Sequence, residues 1–571
     1  MGKKRQLDDA SHILKASAIS KNYPSNIKNK NRRRNRSNKK TKKDSYSTIF
    51  TNNATELEDS ASAGYFAQDV SDACTDAADV SDALDTKYLG IYTQSISKQI
   101  LSFSQKLILC TTLIATYLLI RLHCQNFTIF FCFLLNILYF YVTTFKLCLF
   151  IRGRNVALHN KTKELYITST QKFYKKHIDK NCQKTRFCIN NGNTSNFPYY
   201  SILLPLYKES NVVQKLIQSI TNLQYPKDRL QVLLILEKDD AETIQAIQNV
   251  TLSHYFQVIK VPSTQPRTKA KACNYALNFV YGAYVTIFDA EDIPDPHQLL
   301  RALHAFEDGD ETLVCVQARL NYYNYEENWL TKMFGVEYAI LFDYLLPAIA
   351  EKQLPMPLGG SSNHFKFKTL KNLQGWDIFN VTEDADIGIR VACDKLKIKV
   401  IDSYTFEESP ITIKAWLMQR ARWIKGHTQT YLIHMRNPIK MYKILGKLGF
   451  ASFNYMLGLP TIAMLLTPLG VLITLANACN LLNFPGTISH LIFFFAVCNF
   501  LFWVISTIYT AVLTAQDKDW NNFYKLCFLF PCYFVLHIIA AFLAIYQLCT
   551  KPFHWDKTTH GLSKNSPSKL I

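Results

Sequence analysis

The sequence predicts an α/β domain inserted between membrane-spanning helices, and three observations carry that prediction. Hydrophobic residues make up 48% of the 571-residue chain, yet they concentrate in long uncharged runs on either side of a mixed central region. Within that region short apolar runs alternate with amphipathic, helix-like segments. The apolar runs also end in carboxylates, most plainly in VTIFDAEDIPDP (285–296), where Asp289, Glu291 and Asp292 follow an uncharged stretch.

From the amino terminus, residues 1–54 form a basic tail that includes Arg32, Arg33, Arg34 and Arg36. A disordered cytoplasmic segment, held there by the positive-inside rule, is the expectation. No aromatic residues interleave its basic run, so the formal charge of +20 points to a membrane surface and not to nucleic acid. The first hundred residues are polar, and no signal peptide is expected. Residues 55–104 turn acidic and alanine-rich and repeat DVSDA at Asp69 and Asp79, the composition of a low-complexity linker. Residues 105–152 predict a transmembrane hairpin, with helices at about 107–122 and 127–151 joined by a short turn. Such a hairpin returns the chain to its starting side and leaves residues 153–436 in the cytoplasm, making the chain a multi-pass protein of a cell or inner membrane.

The domain at 153–436 reads as alternating strand and helix. SILLPLYKE (201–209), QVLLILEKDD (231–240), YFQVIKVP and AYVTIFDAED are strand-like, with helices in NVVQKLIQSITNL and KAKACNYALNFVYG between them. This alternation argues for a mostly parallel sheet covered by helices, with ligands at the carboxyl ends of the strands. Residues 437–449 are basic and amphipathic, as suits an interfacial helix. Residues 450–549 hold three or four further membrane helices, and within them 450–480 form one kinked helix or a re-entrant pair broken around Pro468 and Gly470. Residues 550–571 are a basic carboxyl-terminal tail. The fifteen cysteines contain no CxxC pair and read as small apolar packing residues.

The chemistry lies in two carboxylate clusters, Asp289/Glu291/Asp292 and Glu383/Asp384/Asp386, followed by QRARW (419–423). Clustered oxygens suit Mg²⁺ or Mn²⁺, and such an ion can hold a diphosphate. Direct displacement at a sugar needs a base on the opposite face from the leaving group, so one cluster cannot serve both tasks. Singly, DAED is a solvated turn and TED a helix amino terminus. Their joint order, between membrane segments, points to a sugar transferase.

In these motifs the chain resembles the processive family-two glycosyltransferases, which include cellulose, chitin and hyaluronan synthases. The resemblance covers roughly residues 195–430 and the flanking helices. It implies a GT-A, Rossmann-like α/β domain, an inverting and metal-dependent reaction, and a nucleotide-sugar donor, UDP-sugar first. PLYKE and LILEKDD resemble the uridine-contacting elements, which places Glu209 and one of Glu237 or Asp239 at the nucleotide. KAKACN implies Lys271 and Asn274 at the diphosphate and ribose. FDAED implies metal ligands among Asp289, Glu291 and Asp292, and TED implies Asp384 as catalytic base beside Glu383. QRARW implies Gln419 and Arg422 at the nucleotide diphosphate and Trp423 stacked on the acceptor sugar. GGSSNHF (359–365) stands where the acceptor terminus is expected, bringing in Gly360, Ser361 and, more distantly, His364. The implied acceptor is a growing β-linked polysaccharide threaded through the bilayer by five or six helices, with an export or regulatory subunit as a further partner. The alternative is a single sugar added to a lipid of ceramide or polyprenyl type. A catalytically dead scaffold is a third reading, against which Asp384 and Arg422 argue.

Overall fold

The computed structural model describes residues 100–175, 197–482, 485–520, 523–554 and 563. The basic tail, nearly all of the acidic linker with its DVSDA repeat, and most of the carboxyl-terminal tail lie outside the described residues.

Eight strands form one sheet in the order β3-β2-β1-β4-β7-β6-β8-β5. They are β1 (Tyr200–Leu206), β2 (Leu230–Glu237), β3 (Phe256–Val261), β4 (Tyr284–Ile287), β5 (Ile293–Pro294), β6 (Leu313–Tyr322), β7 (Asn363–Lys366) and β8 (Lys397–Glu407). The first four are the strands the sequence predicts, and they pair in parallel. Every residue of β2 is buried, as is all of β1 but Pro205, which is why both read as continuous apolar runs and not as alternating ones. The sheet is mostly parallel, as expected, with two short strands reversed: β7 runs antiparallel to both β4 and β6, and β5 to β8. The four residues of β7, within GGSSNHFK, are too short and polar to announce a strand.

The membrane region departs from expectation at its start. Residues Phe103–Lys175 form one continuous helix, not a hairpin. No glycine or proline occurs between Phe103 and Arg152, so nothing interrupts the helical hydrogen bonds where the turn was expected. At 73 residues the helix is about 110 Å long, and it cannot reverse the chain. The inference that the α/β domain shares a side with the amino-terminal tail therefore loses its topological basis.

After the α/β domain, Pro438–Phe453 is helical but kinked at Gly446, whose φ of 69° only glycine adopts freely. Residues 450–478 continue as helix through Pro468, which selects the kinked helix over the re-entrant pair. Helices Gly486–Asp517 and Phe530–Thr550 follow. Five described helices are long and apolar enough to cross a membrane, but in Trp329–Glu351 the apolar window is 78% buried inside the protein, so that segment is core. The other four leave large apolar side chains such as Phe140, Leu472, Ile505 and Tyr546 exposed, as lipid-facing helices do.

Candidate active site

A cavity of about 1070 Å³ opens at the carboxyl ends of β1, β2 and β4 and extends to the membrane helices. Asp289 stands two residues beyond β4 and Glu291 follows it, both on the cavity wall. Asp292 does not join them. It is 1% exposed, and its Oδ2 accepts the Asp289 backbone N–H at 2.8 Å, so it closes the turn that presents Asp289. Among the described residues no group of three or more His, Cys, Asp or Glu side chains could hold a metal ion. Two carboxylates at one end of the cavity are a donor set that would suit a divalent cation such as Mg²⁺, which needs few protein ligands.

The second cluster meets the first across Gly360. A Cβ built there lies 3.6 Å from Asp384 Oδ2 and 3.9 Å from Asp289 Oδ2, so both carboxylates border one space. Glu383 and Asp384 begin the helix Glu383–Cys393, where the exposed N–H groups favour negative charge. Burial, then the neighbouring Glu383, pushes the Asp384 carboxyl up to about 7. Burial also raises Glu383, opposed by Lys269. Asp386 plays a different part. It binds Arg390 at 2.8 Å and His434 at 2.9 Å, tying this helix to Ile413–His434.

Two site residues escape the sequence reading. Lys269 bridges the Asp289 carboxylate and the Gly360 carbonyl, the latter at 2.6 Å. Burial would lower its pKa, but Asp289 and Glu383 outweigh burial and raise it. Glu407, the last residue of β8, also lines the cavity; burial and then Asp292, Glu291 and Asp289 raise its pKa. A strand ending in paired glutamates was the available signal.

At the end of the cavity beside β1 and β2, Glu209 and Glu237 line the wall, as does Arg267, which binds Asp239 at 2.6 Å. Lys271 and Asn274 do not reach it. Lys271 is buried and donates to Glu237 and to the carbonyls of Pro262 and Thr264. Asn274 clamps the Trp376 backbone through both amide atoms, at 2.7 and 2.9 Å. Both lie on the helix Lys269–Ala276, begun by the Thr268 side chain accepting the Lys271 N–H; its first residue faces the cavity and the next turns hold the core. Ser361 and His364 are fully buried. His364 is hydrogen-bonded to Tyr200 and Gln298, and burial lowers its pKa to about 3.

Gln419, Arg422 and Trp423 line the cavity from the helix Ile413–His434. Arg420 between them binds Glu337 at 2.7 Å, and its guanidinium lies 4.9–5.2 Å from the rings of Phe334, Trp416 and Trp423. One more turn of this helix positions the loop that precedes Glu383 and Asp384. Gln429 Nε2 donates to the Phe379 carbonyl at 2.9 Å, Asn380 Nδ2 donates to Thr430 Oγ1 at 2.7 Å, and Gly426 packs directly on Thr382. Beyond Trp423 the lining is mixed: Met456, Leu457, Pro460 and Met464 at the start of the kinked helix and Phe534 from the last one are apolar, while His427, Thr461, His537 and His554 are polar.

Residues 284–546 match a family model described as glycosyl transferase family group 2. A probable glycosyltransferase of Bacillus subtilis, YdaM, is 23% identical over 383 residues, 64% of this chain and 88% of that protein. A β-monoglucosyldiacylglycerol synthase of Nostoc is 27% identical over 285 residues, 47% of this chain and 59% of that protein, so the match spans under two thirds of the latter. Among solved structures, the mannosyltransferase PcManGT of Pyrobaculum calidifontis, in complex with GDP-Man and Mn²⁺, aligns over 73% of this chain and 99% of its own at 17% identity, with a TM-score of 0.44. The α/β sheet with apolar helices beside it is the GT-A class that the sequence implied. The matched region takes in Asp289, Glu291, Glu383, Asp384 and the QRARW helix on the cavity wall, so over these residues the chain is similar to the glycosyl transferase family group 2.

Proposed function

We propose that the protein transfers one sugar from a nucleoside diphosphate sugar, UDP-sugar first, to the hydroxyl of a membrane lipid, by direct inverting displacement. The observation that carries the acceptor class is the lining of the cavity, which passes from Asp289 and Asp384 to Met456, Leu457, Pro460, Met464 and Phe534 on the apolar helices, with His427, Thr461 and His537 as the polar groups among them. An acceptor with an apolar tail and a hydroxyl head matches that gradient, whereas a hydrated glycan needs polar or aromatic walls along its length. The name of the Nostoc relative supports a lipid acceptor.

Asp384 is the base in this reading. Its carboxyl, raised to about 7, holds or releases a proton near neutrality, and it faces Asp289 across the space beside Gly360. Arg422 and Gln419 steady the donor diphosphate, and Lys269 adds positive charge beside Asp289. Asp289 and Glu291 would hold a divalent cation, Mg²⁺ or Mn²⁺, which would supply charge neutralisation for the departing diphosphate. Glu209 and Glu237 contact the nucleoside.

The test is turnover in nanodiscs with Mg²⁺ or Mn²⁺, a set of UDP-sugars and GDP-mannose, and diacylglycerol or ceramide as acceptor. A glycolipid carrying one added sugar, absent with Asp384→Asn, is the expected product. A long glycan without lipid would return the reading to a polysaccharide synthase.

A further inference from the structure

The membrane half of the cavity contains a polar side chain that the chemistry above does not use. His427 lines the cavity with Gln419 and Trp423, and spacings of four residues put all three on one face of the helix Ile413–His434. Two close contacts fix where along the cavity it stands. At Gly426 the helix presses on Thr382: a Cβ there would lie 2.4 Å from Thr382 Oγ1. Five residues later Tyr431 presses on Gly458, where a Cβ would lie 2.5 Å from the tyrosine ring. Thr382 immediately precedes Glu383 and Asp384, and Gly458 precedes the kinked membrane helix Leu459–Ala478. His427 therefore sits at the junction of the carboxylate end and the apolar end.

Its imidazole has no hydrogen-bond or ring partner among the described residues. The neighbouring polar groups of this wall are engaged: His537 Nε2 lies 3.2 Å from Glu337 Oε1, and Arg420 holds the same carboxylate. Leaving a polar group unpaired in such a wall costs roughly 1–3 kcal/mol unless a ligand or water satisfies it. Burial, with Arg420 nearby, lowers the pKa of His427 to about 4, so the ring is neutral at pH 7, with one N–H donor and one bare nitrogen acceptor. A hydroxyl, which donates and accepts, complements that pair. A phosphate offers only acceptors and favours a cation.

We propose that His427 is an acceptor-positioning residue, hydrogen-bonding a hydroxyl of an uncharged lipid headgroup of glycerol type and aiming the attacking oxygen at Asp384. This rests on the lipid-acceptor reading above and narrows it to neutral headgroups. The test uses the full chain in nanodiscs, with diacylglycerol or a polyprenyl phosphate as acceptor and whichever of UDP-glucose, UDP-galactose and GDP-mannose turns over fastest. His427→Phe keeps an aromatic ring and removes both polar nitrogens. The expected result is a KM for diacylglycerol raised about three- to tenfold, the worth of one uncharged hydrogen bond, with the donor KM unchanged and with recovery in His427→Gln. An unchanged acceptor KM in His427→Phe, or an equal rise in donor KM, overturns the assignment. The wild-type protein gives an arm that does not depend on any variant folding. Preference for the polyprenyl phosphate overturns the neutral headgroup while leaving the lipid reading intact, and a lipid-free polymer overturns both.

Discussion

Gly426→Ala tests whether the helix that carries QRARW sets the position of the catalytic base. The added Cβ would stand 2.4 Å from Thr382 Oγ1, 2.5 Å from its Cγ2 and 2.8 Å from its Cβ, where carbon atoms settle at about 3.5–4.0 Å. Helix and loop must therefore part by about 1 Å. Thr382 is 5% exposed, and its loop is held by the Gln429 and Asn380 hydrogen bonds, so the separation breaks contacts that nothing replaces. Overpacking of this kind costs about 1–3 kcal/mol of stability. Because Asp384 follows Thr382 by two residues, a shift of about 1 Å is expected to slow turnover on the order of 10²-fold. Nucleotide release measures the rate and thermal unfolding in detergent measures the stability. Thr382→Gly removes all three contacted atoms, so the double variant should regain most of the rate. A single variant within twofold of wild type, or a double variant as slow as the single, would refute the reasoning.

Three further outcomes follow from the site. With Asp384 pushed up to about 7 and active only when ionised, turnover should rise about tenfold per pH unit below 7 and level off above it, a profile read from initial rates between pH 5 and 9. The stability effect has the opposite sign: a carboxyl raised above its usual 3.8 favours the fold when protonated, so stability falls as pH climbs from about 4 to about 7, and Asp384→Asn should flatten that slope in thermal melts. Lys269→Met should leave the protein folded but raise the donor KM by roughly tenfold or more, while Lys271→Met, which strands the buried Glu237, should cost about 3–5 kcal/mol of stability; paired donor titrations and melts separate the two. Asp386→Ala removes the partner of Arg390 and His434 and should destabilise by about 3–5 kcal/mol. Burial alone would raise Asp386, but Arg390 and His434 hold it down to about 2, so in the wild type this contribution is complete above about 4 and is lost as pH falls toward 2, which acid melts of wild type and variant would show.

Asp289 and Glu291 were legible in the sequence because a strand and the residues leaving it are one local unit: an apolar run that stops at a carboxylate places that carboxylate at the strand's end. The choice between Lys269 and Lys271 was not local. Two residues apart on a helix they point roughly 200° from each other, and only the packing of Lys269–Ala276 against the sheet decides which faces the cavity. Glu407 was hidden for a related reason, since its place depends on β8 lying beside β6 in a sheet order the chain does not spell out. The hairpin failed on the opposite count. Two apolar runs suggested two helices, but RLHCQN between them lacks any residue that stops a helix, and the absence of a breaker outweighed the dip in hydrophobicity.

The antiparallel strand β7 is the feature that joins the two carboxylate clusters. In a parallel sheet the segment entering a strand lies at the amino ends of its neighbours, away from the ligand side. Because β7 runs against β4, with Asn363 paired to Ile287, the segment entering it arrives where β4 ends. The Ser362 N–H donates to the Ile287 carbonyl at 2.7 Å, and the preceding Gly360 comes to rest between Asp289 and Asp384, its carbonyl on Lys269. Glycine there keeps the space between the carboxylates open. A side chain would meet neither at a forbidden distance, at 3.6 and 3.9 Å, yet would occupy the room in which a sugar must sit. The sequence marked GGSS as a place for close approach; the reversal of one four-residue strand determines what approaches.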